Sequence, residues 1–177
     1  MSRLYQNLHR MSNTEINNLA RNEFTDDNIR VWIATHSHVQ ARYYLADNTL
    51  LADKVIEILM EGRSNIVKGI LVSNGAVTDQ DTIRSIYEKC KNFSPWRIQN
   101  YFVENYWSRR QGHSPVNTPS DVLESIYESL SGNHGMYLRR SLIKHRNCSS
   151  KLALRMTLDT DPTTSNRAFQ TLARLAK

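Results

Sequence analysis

Apolar residues along the chain recur at spacings of three and four. Ile16, Leu19 and Ala20 form one such triplet, and Val55, Ile58 and Leu59 another. Ile83, Ile86 and Tyr87, then Leu123, Ile126 and Tyr127, then Phe169, Leu172 and Ala173 complete the set. A stripe at i, i+3 and i+4 lies on one face of a helix, so five amphipathic helices are predicted with their buried faces at these positions. A candidate N-cap precedes each: Asn13, Thr49, Thr78, Thr118 and Thr164. Two of the helices share a word, SIYEK at 85–89 and SIYES at 125–129, whose alignment sets Ile83 over Leu123, Ile86 over Ile126 and Tyr87 over Tyr127.

A second pattern lies between these stripes. It is a polar residue, an apolar one three later, often another beside it, then Asn, His or Asp two further on. It reads Arg30-Ile33-Ala34-His36, Arg42-Leu45-Ala46-Asn48, Lys68-Leu71-Val72-Asn74, Gln99-Phe102-Val103-Asn105 and Arg139-Leu142-Ile143-His145, with a degraded copy at Arg155-Leu158-Asp159-Asp161. Such words predict helices that stop at the last residue, since Asn tolerates the left-handed conformation of a helix end. Sustained period-two alternation is absent, and the Asn74-Gly75 pair reads as a helix end rather than a hairpin. Short helices with recurring words predict an all-α fold, an α-solenoid of roughly five stacked helix pairs in which each unit buries its apolar face on its neighbours. One domain over 1–177 is expected, with a long loop at 108–118 and a basic part at 133–177.

The segments VQARYYLADNTLLADKVIEILMEG (39–62) and KLALRMTLDTDPTTSNRAFQTLARLAK (151–177) resemble the leucine-rich repeat variant and HEAT-like families. There a helix ending in a Leu-Ala-x-Asn-like word is followed by a turn and a second helix carrying Leu-x-x-Leu. The resemblance implies a superhelix that binds other molecules, and carries little about activity. Repeat lengths vary here, proline is missing from most turns, and the cysteine cluster of some leucine-rich repeat variants has no counterpart. Some HEAT-like proteins are DNA glycosylases that hold the duplex on a basic, tryptophan-bearing face, which makes a HEAT-like DNA-acting enzyme the third functional alternative. Trp32, Trp96 and Trp107 sit in or beside the helix words and are expected in the core, and no acid is singled out for catalysis.

Chemistry-bearing residues are sparse. His36 and His38 stand at i, i+2, which on a helix points them apart, and no Cys or acid lies at ligand spacing, so no metal site is predicted. Cys90 and Cys148 show no CxxC spacing and no His at a recognised spacing, and the six glycines are scattered singly. Asp79, Asp81 and Glu88 match the acids expected at a helix start and along its exposed face. No cofactor and no catalytic residue is predicted. No apolar run approaches the roughly eighteen residues needed to cross a bilayer, so a cytoplasmic protein without a membrane partner is expected.

Charge alters this picture at one end. Residues 1–107 hold twelve Lys and Arg against twelve Asp and Glu, whereas 108–177 hold eleven against five. Between Glu128 and Asp159 there is no acid. Tyr137, Arg140 and Lys144 fall on one helical face with Arg139 and Arg146 on the flank, and Lys151 and Arg155 share a face of the next helix. With Arg109 and Arg110 from the long loop, these nine residues form the predicted binding surface. A partner protein with an acidic surface is the first expectation, because repeat arrays present extended grooves. The backbone of DNA or RNA, bound without sequence preference, is the second.

Overall fold

The structure, a computed structural model, describes residues 3–48, 50–92, 95–103, 116–130 and 135–176. Among these residues it is all-α, with twelve helices. They are α1 (Arg3–Leu8), α2 (Asn13–Arg21), α3 (Asp27–His36), α4 (Val39–Ala46), α5 (Asp53–Glu61) and α6 (Asn65–Ser73). There follow α7 (Gln80–Cys90), α8 (Pro95–Val103), α9 (Ser120–Ser129), α10 (Met136–Leu142), α11 (Ser150–Met156) and α12 (Pro162–Leu175). Thr49, Asn105, Tyr106, Trp107, Arg109, Arg110 and most of the expected loop at 108–118 lie outside the described residues, as does the side chain of Trp96. No described helix is long and apolar enough to cross a membrane.

The even-numbered helices follow one another side by side: α2 packs on α4, α4 on α6, α6 on α8, α8 on α10 and α10 on α12. The main helix packings among the described residues all join adjacent or next-but-one helices. Even and odd helices contribute about equally to the buried apolar core, and α6 is its most deeply buried member. In α6 alone, Val67, Gly69, Ile70, Leu71, Val72 and Ser73 are buried, against Val55 and Leu59 in α5. A methyl group on Gly69 would come within 3.0 Å of the Tyr101 ring, so its lack of a side chain lets α6 approach α8.

From α7 onward the odd helices are tied together mainly by polar contacts. Arg84 of α7 reaches Asp121 of α9 at 2.8 Å, and the hydroxyls of Tyr87 and Ser125 stand 3.2 Å apart. The two SIYE words take equivalent places. Ile83, Ile86, Leu123 and Ile126 are all buried, and each Tyr reaches one unit further along, Tyr87 to Ser125 and Tyr127 to Asp159.

At three of the recurring words, those ending in Asn48, Asn74 and His145, the last residue does more than stop a helix, and Asn22 and Asp159 act alike at two other helix ends. The side-chain oxygens of Asn48 and Asn74 accept the N–H groups of Leu50 and Ala76, two residues on, and Asn22 does the same for Phe24. The amide of Asn48 then donates to the carbonyl of Asn22, and that of Asn74 to the carbonyl of Ala46. Each Asn thus closes its own turn and hooks it to the turn one unit back. His145 Nδ1 and Asp159 Oδ1 accept the corresponding N–H groups of Asn147 and Asp161. Neither side chain is seen donating an amide backwards, and here Asn147 does so, to the carbonyl of Thr118. Gly75, which follows Asn74, has φ of 79° and so takes the left-handed turn expected of it.

Several caps differ from expectation. The Ser12 hydroxyl caps α2 in a reciprocal box with Glu15, Asp79 caps α7 through Thr82, and Asp161 caps α12 through Thr164. At α9 the cap position falls to Pro119, while the buried Thr118 hydroxyl donates to the carbonyl of Phe102. The charged or hydroxyl side chain nearest the first free N–H groups takes the role in three of the four, displacing a residue one to three places away on either side.

The stripe on α12 is also rotated. Thr164 and Ala168 are buried and Leu172 half-buried, whereas Phe169 is 60% exposed. This helix packs on α10 and α11 through a face turned by about 100° from the one its largest side chain marks.

Two predictions follow from the hooked turns. Asn74→Ala removes both bonds and should lower unfolding free energy by about 2 kcal/mol in denaturant titration. His145 is buried, and burial first, then the charge of Arg146, pulls its pKa from 6.5 to about 4 against an opposing backbone bond at Val116. The unfolded chain therefore binds more protons between these values, so stability falls as pH drops from about 6.5 to 4, by about 3 kcal/mol at most. His145→Asn, which can still accept the turn N–H, should stay folded and flatten that acid sensitivity.

Candidate functional site

The predicted basic surface is largely occupied by acids of the same chain. Arg139 is buried rather than exposed on a flank, with its Nε 2.9 Å from Asp159. At the same place in the helix words Arg30 and Gln99 are also buried and also bond inward, whereas Arg42 and Lys68 are half-buried and Arg155 is exposed. Arg30 binds the carbonyls of Glu23 and Leu50, and Gln99 binds the Ser129 hydroxyl. Arg140 grips Asp161 through two bonds of 2.9 and 2.8 Å. That bond, then the Thr164 hydroxyl, holds the Asp161 carboxyl well below the usual carboxylate range. Arg140 thus supports the cap of α12.

Lys151 and Arg155 share a face of α11, as expected, and that face meets Glu124 and Glu128 of α9, also four apart. The ion pairs measure 2.7 and 2.8 Å. The acids that bound the acid-free interval in sequence, Glu128 and Asp159, are folded back against it. Tyr137 is 70% exposed on α10.

Two of the predicted cations, Lys144 and Arg146, are exposed and form no ion pair among the described residues. Lys144 opens onto a cleft of about 230 Å³ between the end of α10 and α12, lined by Ile143, Lys144, Arg167, Gln170, Thr171 and Arg174. The Thr171 hydroxyl donates to the carbonyl of Ile143 at 3.3 Å, which pins the two helices together at the cleft floor. Arg167 and Arg174 are in no ion pair among the described residues, and neither α10 nor α12 contains an acid. Three cations therefore face one concavity that has no counter-charge in its lining. Arg167, Gln170, Thr171 and Arg174 fall outside the predicted surface. Their signal was present, because they occupy i, i+3, i+4 and i+7 of α12 and so share one face.

Comparison of the chain with protein-family models, with curated proteins and with solved structures found no match.

Other candidate chemistries gain little from the fold. Burial pushes the Cys90 and Cys148 thiols up to about 11, far from a reactive thiolate at neutral pH. His36 stacks on the buried Trp32 with ring centroids 5.7 Å apart, and His9 meets the same indole edge-on at 5.1 Å. No group of three or more potential metal ligands occurs among the described residues.

Buried and surface ion pairs should respond differently to loss of one partner. Arg139→Met leaves the buried Asp159 carboxylate without its counter-charge, with only the Tyr127 hydroxyl and the Asp161 N–H donating to it among the described residues, and should cost about 3 kcal/mol in thermal or denaturant unfolding. Lys151→Met, at an exposed pair, should change stability by about 1 kcal/mol or less.

Proposed function

We propose that the chain is a HEAT-like α-solenoid that serves as a non-catalytic binding module and docks an acidic surface of a partner protein. The side-by-side succession of even helices, with packing confined to near neighbours, supports the repeat architecture, in which each unit rests on the one before. The observation that carries the binding role is the cleft where Lys144, Arg167 and Arg174 stand together without an acid. Like charges gathered without a counter-ion repel one another, and an anionic partner relieves that repulsion.

A nucleic-acid backbone fits less well. Phosphates along a strand call for a stripe of cations, and the stripe drawn from Tyr137 to Arg155 is broken where Arg139, Arg140, Lys151 and Arg155 are held by Asp159, Asp161, Glu124 and Glu128. What is left unpaired is compact rather than linear.

The test uses the full chain as bait in its native host, beside a Lys144→Ala, Arg167→Ala, Arg174→Ala variant. Alanine preserves helix propensity, and none of the three side chains forms an ion pair among the described residues. Recovery of a defined partner that survives nuclease, weakens with salt and drops about tenfold or more with the variant is expected. Loss of the partner on nuclease treatment favours the nucleic-acid alternative, and equal recovery by both chains removes the cleft from the interface.

A further inference from the structure

We infer that the cleft between α10 and α12 receives a phosphorylated side chain of the partner, a phosphoserine or phosphothreonine set in an acidic sequence. The inference rests on the binding role proposed above and specifies its ligand. Two arginines seven residues apart on one face of α12 and a lysine at the end of α10 converge on a single concavity of about 230 Å³. A lone carboxylate is met by one guanidinium fork. A phosphomonoester carries nearly two charges and three acceptor oxygens, and so uses three cationic groups at once. The Gln170 amide in the lining adds a neutral donor.

The placement of Arg167 favours a ligand over helix-end electrostatics. Lys144 follows the carboxyl end of α10 and Arg174 lies in the last turn of α12, where the helix dipole welcomes cations. Arg167 stands in the second turn of α12, away from the carboxyl end where the dipole favours a cation, and it faces two others. Among the described residues no ion pair offsets that arrangement, since those of this region all fall elsewhere. The cleft is also short. Its lining includes no aromatic ring on which a base could stack, which separates it from a single-strand groove.

The experiment titrates the isotope-labelled full chain with the peptide Glu-Glu-phosphoserine-Glu-Glu, with its serine and glutamate counterparts, and with inorganic phosphate, following the side-chain N–H signals of Arg167 and Arg174. The phosphopeptide should shift both signals saturably and bind about tenfold or more tighter than the glutamate peptide and than inorganic phosphate. Arg167→Gln should abolish most of that advantage with an unchanged circular dichroism spectrum. Equal binding of the glutamate peptide overturns the phosphate assignment and leaves the acidic-surface function standing. Equal binding of inorganic phosphate overturns the assignment to a partner's side chain. Failure of every probe to shift the two arginines overturns both the ligand and the binding role of the cleft.

Discussion

A chain that folds back on itself at the end of every short helix must satisfy the backbone groups exposed at each reversal. At five of the described reversals the solution is one side chain that turns onto the N–H two residues ahead. Asn22, Asn48, Asn74, His145 and Asp159 all do this, in turns of different sequence. Asn48 and Asn74 have an amide left over, and they use it on the carbonyl at the preceding reversal. A buried polar group without a partner costs more than a single bond contributes, so the hook constrains spacing as well as stability. Once two turns are hooked, the helices that lead into them must lie side by side, and α4 on α6 is the outcome.

That constraint separates two kinds of contact. The even helices meet through packed apolar faces, with Gly69 lying close against the Tyr101 ring. The odd helices α7, α9 and α11 meet through pairs of charges, such as Arg84 with Asp121 or Lys151 with Glu124. Each of those pairs is worth little alone at the surface. Their effect is on register: cations four apart on α11 match carboxylates four apart on α9 in one alignment, and a shift by one turn leaves a charge at each end unmatched.

Helix existence and the carboxyl ends of helices such as α3 and α6 were legible because they depend on local spacing, whereas the caps at the amino ends were misplaced by one to three residues. Leu123, Ile126, Ile83 and Ile86 were placed correctly by periodicity alone. Phe169 was not, since which face of α12 is covered depends on where α10 and α11 lie, and residue size is a poor guide to that. The charge surface was the least legible part. A linear run free of acids looks basic, but folding brings acids in from 20 to 27 residues away. Arg139 shares its place in the helix word with the buried Arg30 and Gln99 but also with the half-buried Arg42 and Lys68 and the exposed Arg155, so that place alone did not reveal its burial.

The same pairing device locates the site by default. Charges on the α9 and α11 faces are neutralised because one helix carries acids where the next carries cations. Helices α10 and α12 follow a different composition: both carry cations and neither carries an acid. Packing them together brings Lys144 toward Arg167 and Arg174, and the hydroxyl of Thr171 on the Ile143 carbonyl holds them there. The resulting repulsion is small in water at physiological salt, and it falls to a gain once an anion enters and excludes that water. An interface between two such helices is therefore poised for an external counter-charge, whereas the neighbouring interface already contains its own.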